Sequence, residues 1–172
     1  MPERPKQPQS VTRQRLRILL PCVAVVVVVL LFSSLMRGCE EWRRMGCALN
    51  LKQVGIFCHM YAREHGGNFP THWSDLRPKL PSSRALRVFF CPSTGHTEGQ
   101  SEAMDLWSDY RLVPGLNTNA ADETVLALEP LGNHGSEGAN VLFVDGHVEW
   151  WDAVRLLGEE EENDMNHPNA RR

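Results

Sequence analysis

His134, Asp145 and His147 are residues whose types could hold a metal, because imidazole and carboxylate suit zinc and other transition ions. Asp145 also has a simpler role. The Asp145-Gly146 pair lies between two β-rich runs, and a turn that demands positive φ accounts for it without any ligand. His147 then falls on the polar face of a strand, so these residues read as structural, with metal ligation the minority alternative. Asp105, Asp109, Asp122 and Glu123 offer oxygens, but their spacing fits no calcium loop. Cys58 and His59 cannot work together as thiol and base, since adjacent helical positions point about 100° apart. No nucleophile elbow and no glycine-rich phosphate loop occurs. His72, His96 and His167 sit in polar surroundings and read as solvated. The motifs therefore predict no catalytic residue, no bound metal and no cofactor.

The elements that must position these groups start with the hairpin. Asn140 to Val144 and His147 to Trp151 flank Asp145-Gly146, the strongest short-range signal for a two-residue type I′ turn. That turn pairs Val144 with His147, Phe143 with Val148, Leu142 with Glu149 and Val141 with Trp150. Val141, Phe143, Val148 and Trp150 then share an apolar face expected to look into the core, and Leu142, Val144, His147 and Glu149 share a mixed face. A lone hairpin is marginal in water and needs a partner. Glu40 to His65 supplies it, a proline-free helix ended by Gly66-Gly67 and Pro70. Its apolar stripe is Cys47, Leu51, Val54, Cys58 and Tyr61, flanked by Ala48, Gly55 and Ala62, small enough for close approach of a sheet. Trp73 to Leu80 reads as a helical turn and Arg87 to Phe90 as a short strand-like run before Cys91-Pro92. Pro92 to Met104 reads as loop, Asp109 to Val113 and Thr124 to Leu128 as strands, and Asp152 to Leu157 as a terminal helical turn.

Ile18 to Met36 runs nineteen residues without a charge, long enough to cross a bilayer. Arg4, Lys6, Arg13, Arg15 and Arg17 precede it, whereas Arg37, Arg43 and Arg44 after it are mixed with Glu40 and Glu41. The bias places the amino terminus in the cytoplasm and everything from Gly38 outside. A cleaved signal is the competing reading, but an arginine occupies the small-residue position of Met36-Arg37-Gly38-Cys39. The organisation is thus a basic cytoplasmic arm over 1–17, a transmembrane helix over 18–37, an extracytoplasmic domain over 38–158 and a disordered acidic tail over 159–172. The net charge of −3 conceals opposite ends, five basic groups in residues 1–17 and five acids in 159–164. Neither reads as nucleic-acid binding, because the middle lacks a basic stripe with interleaved aromatics.

Several segments together carry a resemblance. Cys47-Ala48-Leu49-Asn50-Leu51-Lys52-Gln53-Val54-Gly55, His59-Met60-Tyr61-Ala62, Asn68-Phe69-Pro70, Phe90-Cys91-Pro92-Ser93 and Asn140 to Trp150 resemble, in order, the pseudopilin-like proteins of planctomycetes and their relatives. Their carboxy-terminal signature is a histidine, nine residues, then Asp-Gly; here His134 precedes Asp145-Gly146 by ten residues. The resemblance implies an α+β, type IV pilin-like fold, with a long amino-terminal helix, half in the membrane, packed on a small antiparallel β-sheet. It implies a non-enzymatic component of a type II secretion or pilus-like assembly in the cytoplasmic membrane. Its partners would be the lipid bilayer and other pilin-like subunits or secretion-system membrane proteins. Two alternatives remain open: a tethered binding module that does not polymerise, and a metal-dependent tethered hydrolase. The first is favoured by the lack of a prepilin processing signal around Ser10-Val11-Thr12, with neither a glycine before it nor an acid after it where the signal requires them, so residues 1–17 are expected to be retained.

An extracytoplasmic domain would expose its thiols to an oxidising compartment, where paired cysteines persist. Cys22 lies in the apolar run, leaving Cys39, Cys47, Cys58 and Cys91. A sheet packed on the helix could bring Cys47 to Cys91, which follows a strand-like run, whereas Cys58 sits mid-stripe where a buried thiol packs well. The expected disulfide is Cys47–Cys91, with Cys39–Cys91 next.

Overall fold

The computed structural model describes residues 9–96 and 104–158, with side chains from residue 19 on. Residues 1–8 of the basic arm, the middle of the expected loop and the acidic tail lie outside the described residues, whereas residues 9–17, expected as part of the arm, are helical. The chain divides into two compact units, Met1–Cys39 and Glu40–Arg172.

Helix α1, Gln9–Glu64, is the longest element and begins nine residues before Ile18, where the apolar run starts. In the first unit its apolar side chains are exposed, Val28 and Phe32 each at 64%. One helix near the amino terminus is therefore long and apolar enough to cross a membrane, with a mean hydropathy of 2.8 and none of that window buried. The helix stops where the glycines foretell it. Gly66 takes φ of +64° and the Gly67 N–H returns to the Ala62 carbonyl at 2.8 Å, the 6→1 bond of a Schellman cap.

In the second unit the stripe of α1 is buried as its spacing predicts, although Ala62 rather than Tyr61 completes it. Cys47, Leu51, Val54 and Cys58 are fully buried, and each leucine or valine so buried contributes about 1.5–3 kcal/mol. Tyr61 is half-buried and stacks on His65. Over the stripe lies a four-stranded antiparallel meander in the order β1 (Arg111–Leu112), β2 (Val125–Leu128), β3 (Gly138–Phe143) and β4 (Val148–Asp152). The protein is thus α+β, a long amino-terminal helix on a small antiparallel sheet. Gly55 permits the close approach: a Cβ there would stand 3.0 Å from Leu142 Cδ1.

The hairpin register differs by one residue from the sequence expectation. Leu142 pairs with Val148, Val141 with Glu149 and Asn140 with Trp150. The connection has three residues, Val144-Asp145-Gly146, closed by Gly146 N–H to the Phe143 carbonyl at 2.9 Å and Phe143 N–H to the His147 carbonyl at 3.0 Å. Gly146 has φ of +89°, so Asp-Gly serves a type I turn followed by a left-handed bulge residue rather than a type I′ turn. A one-residue slip flips a strand. Leu142 therefore faces the helix together with Asn140 and Val148, while Val141 and Phe143 join Ala139, Trp151 and Leu156 in a second cluster on the other face. Both faces of β3 are buried, which is why its hydrophobicity could not reveal its inner side.

The segments between helix and sheet are short 3-10 turns. Trp73–Lys79 matches the expected helical turn, whereas Ser83–Phe89 replaces the strand-like run. The latter closes on itself, Ala85 N–H to Ser82 carbonyl at 2.9 Å and Phe90 N–H to Arg87 carbonyl at 3.2 Å, with Leu86 and Phe89 turned inward one 3-10 turn apart. A four-residue helix α2, Met104–Trp107, a 3-10 turn at Leu131–His134 and helical residues 153–158 complete the unit.

Candidate metal centre

Four segments of the second unit send one side chain each to a common point. Cys47 comes from the buried stripe of α1, Cys91 from the chain just after Ser83–Phe89, Glu129 from the residue after β2, and His134 from the end of its 3-10 turn. Their ligand atoms all lie within 4.8 Å of one another. All four residues are buried, Cys47, Cys91 and Glu129 fully and His134 at 2% exposure.

Local structure fixes each donor. The Cys91 N–H donates to Asp109 Oδ2 at 2.9 Å, and the Cys91 carbonyl accepts from Thr94 N–H at 3.1 Å and Thr94 Oγ1 at 2.9 Å. Pro92 and Ser93 are thereby folded into a turn whose Ser93 N–H points at Cys91 Sγ, 3.4 Å away. Glu129 extends β2 opposite Asn140, whose backbone N–H donates to Glu129 Oε2 at 3.0 Å and whose side-chain N–H group reaches both carboxylate oxygens at 3.2 Å. His134 Nδ1 lies 2.7 Å from Glu40 Oε1 and 3.1 Å from Ser93 Oγ. Its Nε2 faces Cys91 Sγ at 3.5 Å and Glu129 Oε2 at 3.2 Å. Tyr110 closes the fourth side, its hydroxyl 3.4 Å from Cys47 Sγ and donating to the Phe90 carbonyl at 3.2 Å. Trp150 covers the imidazole edge-on at 5.6 Å, with the Arg44 guanidinium 4.5 Å from the Trp150 ring centre.

The electrostatics are those of a crowded anionic pocket. A hydrogen bond from Cys47, helped by His134 and the Ser93 N–H, lowers the Cys91 thiol to about 6 against the opposing effect of burial. The same hydrogen bond, together with burial, pushes Cys47 upward. Burial pulls the His134 imidazole down, but its contacts with Cys91, Glu129 and Glu40 outweigh that and raise it to about 10. Glu40 is also opposed by burial, yet hydrogen bonds from His134, Ser93 and Arg43 hold it below the usual carboxylate range. Burial chiefly raises the Tyr110 phenol, with the nearby Cys47 adding to it. A buried thiolate beside a carboxylate is costly unless a cation neutralises both, and His134 supplies a single positive charge.

Two sequence expectations change here. Cys47 and Cys91 do come together, but as free thiols rather than a disulfide. The two sulfurs share a four-cornered cluster with Glu129 and His134, all donor atoms within 4.8 Å of one another. His134, read from the sequence as structural with metal ligation the minority alternative, stands in the four-donor cluster, whereas Asp145 and His147 do not. Those two remain at the hairpin tip, where Asp145 Oδ1 accepts from the His147 N–H at 2.9 Å and contacts its ring Nδ1 at 2.5 Å. Of the calcium candidates, Asp105 accepts from Trp73 N–H at 2.5 Å and Ser74 Oγ at 2.8 Å, and Asp109 holds the Cys91 turn and His96; Asp122 and Glu123 are exposed. Glu129 and Glu40 escaped sequence reasoning. The available signal was an acid ending the apolar run Val125–Leu128 immediately before Pro130, where an uncharged residue would otherwise extend the strand.

No family model, no curated protein and no solved structure matches this chain.

Proposed function

We propose that this protein is a non-enzymatic, pilin-like component of a type II secretion or pilus-like assembly. In this reading Ile18 to Met36 anchor it in the cytoplasmic membrane, its amino terminus is cytoplasmic, and the domain lies outside. The observation that carries the proposal is a second apolar stripe on the outer part of α1. Trp42, Met45, Leu49, Ile56 and Met60 are exposed by 74, 50, 60, 59 and 41%. At 100° per residue they gather on the side of the helix opposite Cys47, Leu51, Val54 and Cys58. Exposed hydrophobics scattered singly need no explanation, but five aligned on one helix face mark a docking surface. Other membrane-anchored helices are the natural occupants, because the same helix carries the anchor and so brings such partners alongside it.

The tethered hydrolase is poorly supported: the cluster has four protein donors and no exposed member, whereas catalytic zinc sites keep an open position for water or substrate. The non-polymerising tethered module is favoured by the absent processing signal near Ser10. A photo-crosslinking amino acid at Leu49 or Ile56, in native membranes, separates the two surviving readings. Assembly predicts crosslinks to a second copy or to another single-pass protein at both positions and none at exposed Arg84. Recovery of only uncrosslinked chain at Leu49 and Ile56 would contradict assembly through this helix.

A further inference from the structure

We propose that Cys47, Cys91, Glu129 and His134 bind one Zn2+ ion in a closed tetrahedral site that locks the domain together. Tetrahedral zinc with Zn–S of about 2.3 Å and Zn–N or Zn–O of about 2.0–2.1 Å requires sulfur–nitrogen edges of about 3.5 Å and nitrogen–oxygen edges of about 3.3 Å. The Cys91 Sγ to His134 Nε2 separation is 3.5 Å and the His134 Nε2 to Glu129 Oε2 separation is 3.2 Å. Two of the tetrahedron's edges are therefore already in place, and the 4.8 Å bound on all pairs leaves small adjustments for the rest.

The surroundings match what a zinc site needs beyond its ligands. A metal-bound histidine donates its other ring N–H to a carboxylate, and His134 Nδ1 lies 2.7 Å from Glu40 Oε1, leaving Nε2 free to ligate. The ligating carboxylate is itself held, by two groups of Asn140. A backbone N–H supports one sulfur and a tyrosine hydroxyl approaches the other, at 3.4 Å each. Binding the ion releases to solvent the protons still held by the thiols and by His134; with Glu129 ionised the donors then carry three negative charges, and a divalent cation reduces this to one. Two sulfur donors disfavour magnesium and calcium, which take oxygen, and a closed S2NO tetrahedron suits zinc. The ion would tie α1, the Cys91 turn, the end of β2 and the His134 turn at one point. That gives a small domain the kind of internal staple that metals supply elsewhere.

The site is independent of the assembly proposed above, and its test reads metal alone. Full-length protein, expressed with zinc and purified in detergent with reductant and metal-free buffers, should carry about one zinc per chain by elemental analysis. Cys39→Ser, outside the cluster, should carry the same amount. Cys91→Ser should retain little zinc, and Glu40→Gln, which keeps all four ligands, should bind zinc roughly 10–100-fold more weakly by chelator competition. Because Cys91→Ser can fail through misfolding, the wild-type protein is also reconstituted with Co2+. A thiolate-to-cobalt charge-transfer band together with intense tetrahedral d–d bands is the expected spectrum. The proposal is overturned by wild-type protein that lacks zinc and shows a Cys47–Cys91 disulfide by mass spectrometry. It is equally overturned by a weak octahedral cobalt spectrum without the charge-transfer band, or by zinc that persists unchanged in a folded Cys91→Ser variant.

Discussion

Replacing Gly138 by alanine tests whether β3 and β4 are seated as described. A Cβ at Gly138 would lie 2.3 Å from the Trp151 carbonyl oxygen and 2.7 and 2.9 Å from Trp150 ring carbons. The carbonyl cannot yield cheaply, since Gly138 pairs with Asp152 and Ala139 with Trp151 in the same ladder. Nor can the indole, which is held between His134 and the Arg44 guanidinium. Overpacking of this kind costs about 1–3 kcal/mol. Against it stands the gain of about 0.4–1 kcal/mol from restricting the unfolded chain when glycine becomes alanine. The net expectation is a loss of about 1–2 kcal/mol. Gly132→Ala is the matched control, because a Cβ there meets nothing within 4 Å and Gly132 has no positive φ. It should gain the entropic term alone, which Gly138→Ala shares, so the two variants should differ by the overpacking cost of about 1–3 kcal/mol. At about 2–5 °C per kcal/mol for a domain of this size, their melting temperatures should differ by about 2–15 °C, followed by near-ultraviolet circular dichroism in detergent. A Gly138→Ala protein that melts at or above wild type would refute the register and the packing of Trp150.

Four further outcomes follow from the same structure. Leu51→Ala, in the buried stripe, should lose about 2–5 kcal/mol in denaturant unfolding, whereas Leu49→Ala on the exposed stripe should stay within about 0.5 kcal/mol of wild type. Gly146→Ala should destabilise by about 1–2 kcal/mol in the same assay, because φ of +89° strains any residue with a Cβ. An impermeant maleimide should label exposed Cys39 in the folded protein but leave Cys58 unlabelled until unfolding, since burial raises that thiol to about 12 and removes it from solvent. If Cys39 in intact spheroplasts is labelled only after lysis, the outward orientation is wrong. Stripping metal with a chelator should lower the melting temperature, and added Zn2+ should restore it; at a free ion concentration 100-fold above the dissociation constant the stabilisation is about 2.7 kcal/mol. An unchanged melting curve would show that the cluster contributes nothing as a metal site.

What the sequence made legible was whatever a short stretch decides for itself. The α1 stripe from Cys47 to Cys58, its Gly66-Gly67 stop and the apolar span before Gly38 follow from spacing and composition, and each stands in the structure. The position of the hairpin was legible, but its register was not. Asp-Gly serves two loop lengths, and β3, buried on both faces, offers no polar side to choose between them. Arg87 to Phe90 reads as extended in the sequence, yet most of it belongs to the 3-10 turn Ser83–Phe89, whose few apolar residues leave little periodicity to detect. The metal centre was the least legible feature. Its donors are isolated in sequence at positions 47, 91, 129 and 134, with none of the close ligand pairs that announce a zinc site. Asn140, opposite Glu129 in its observed register, donates to both carboxylate oxygens and to the Arg44 carbonyl of α1, a long-range arrangement that no short stretch encodes. Cysteine pairing alone brings two of its corners together and implies a covalent bond where the structure has four separate donors.

X-ray absorption at the zinc edge of the full-length wild-type protein tests the four-donor site most directly. A closed site of these four residues gives a four-coordinate zinc with two sulfurs at about 2.3 Å and two nitrogen or oxygen atoms at about 2.0–2.1 Å. A shell of five or six oxygen and nitrogen atoms without sulfur would contradict it.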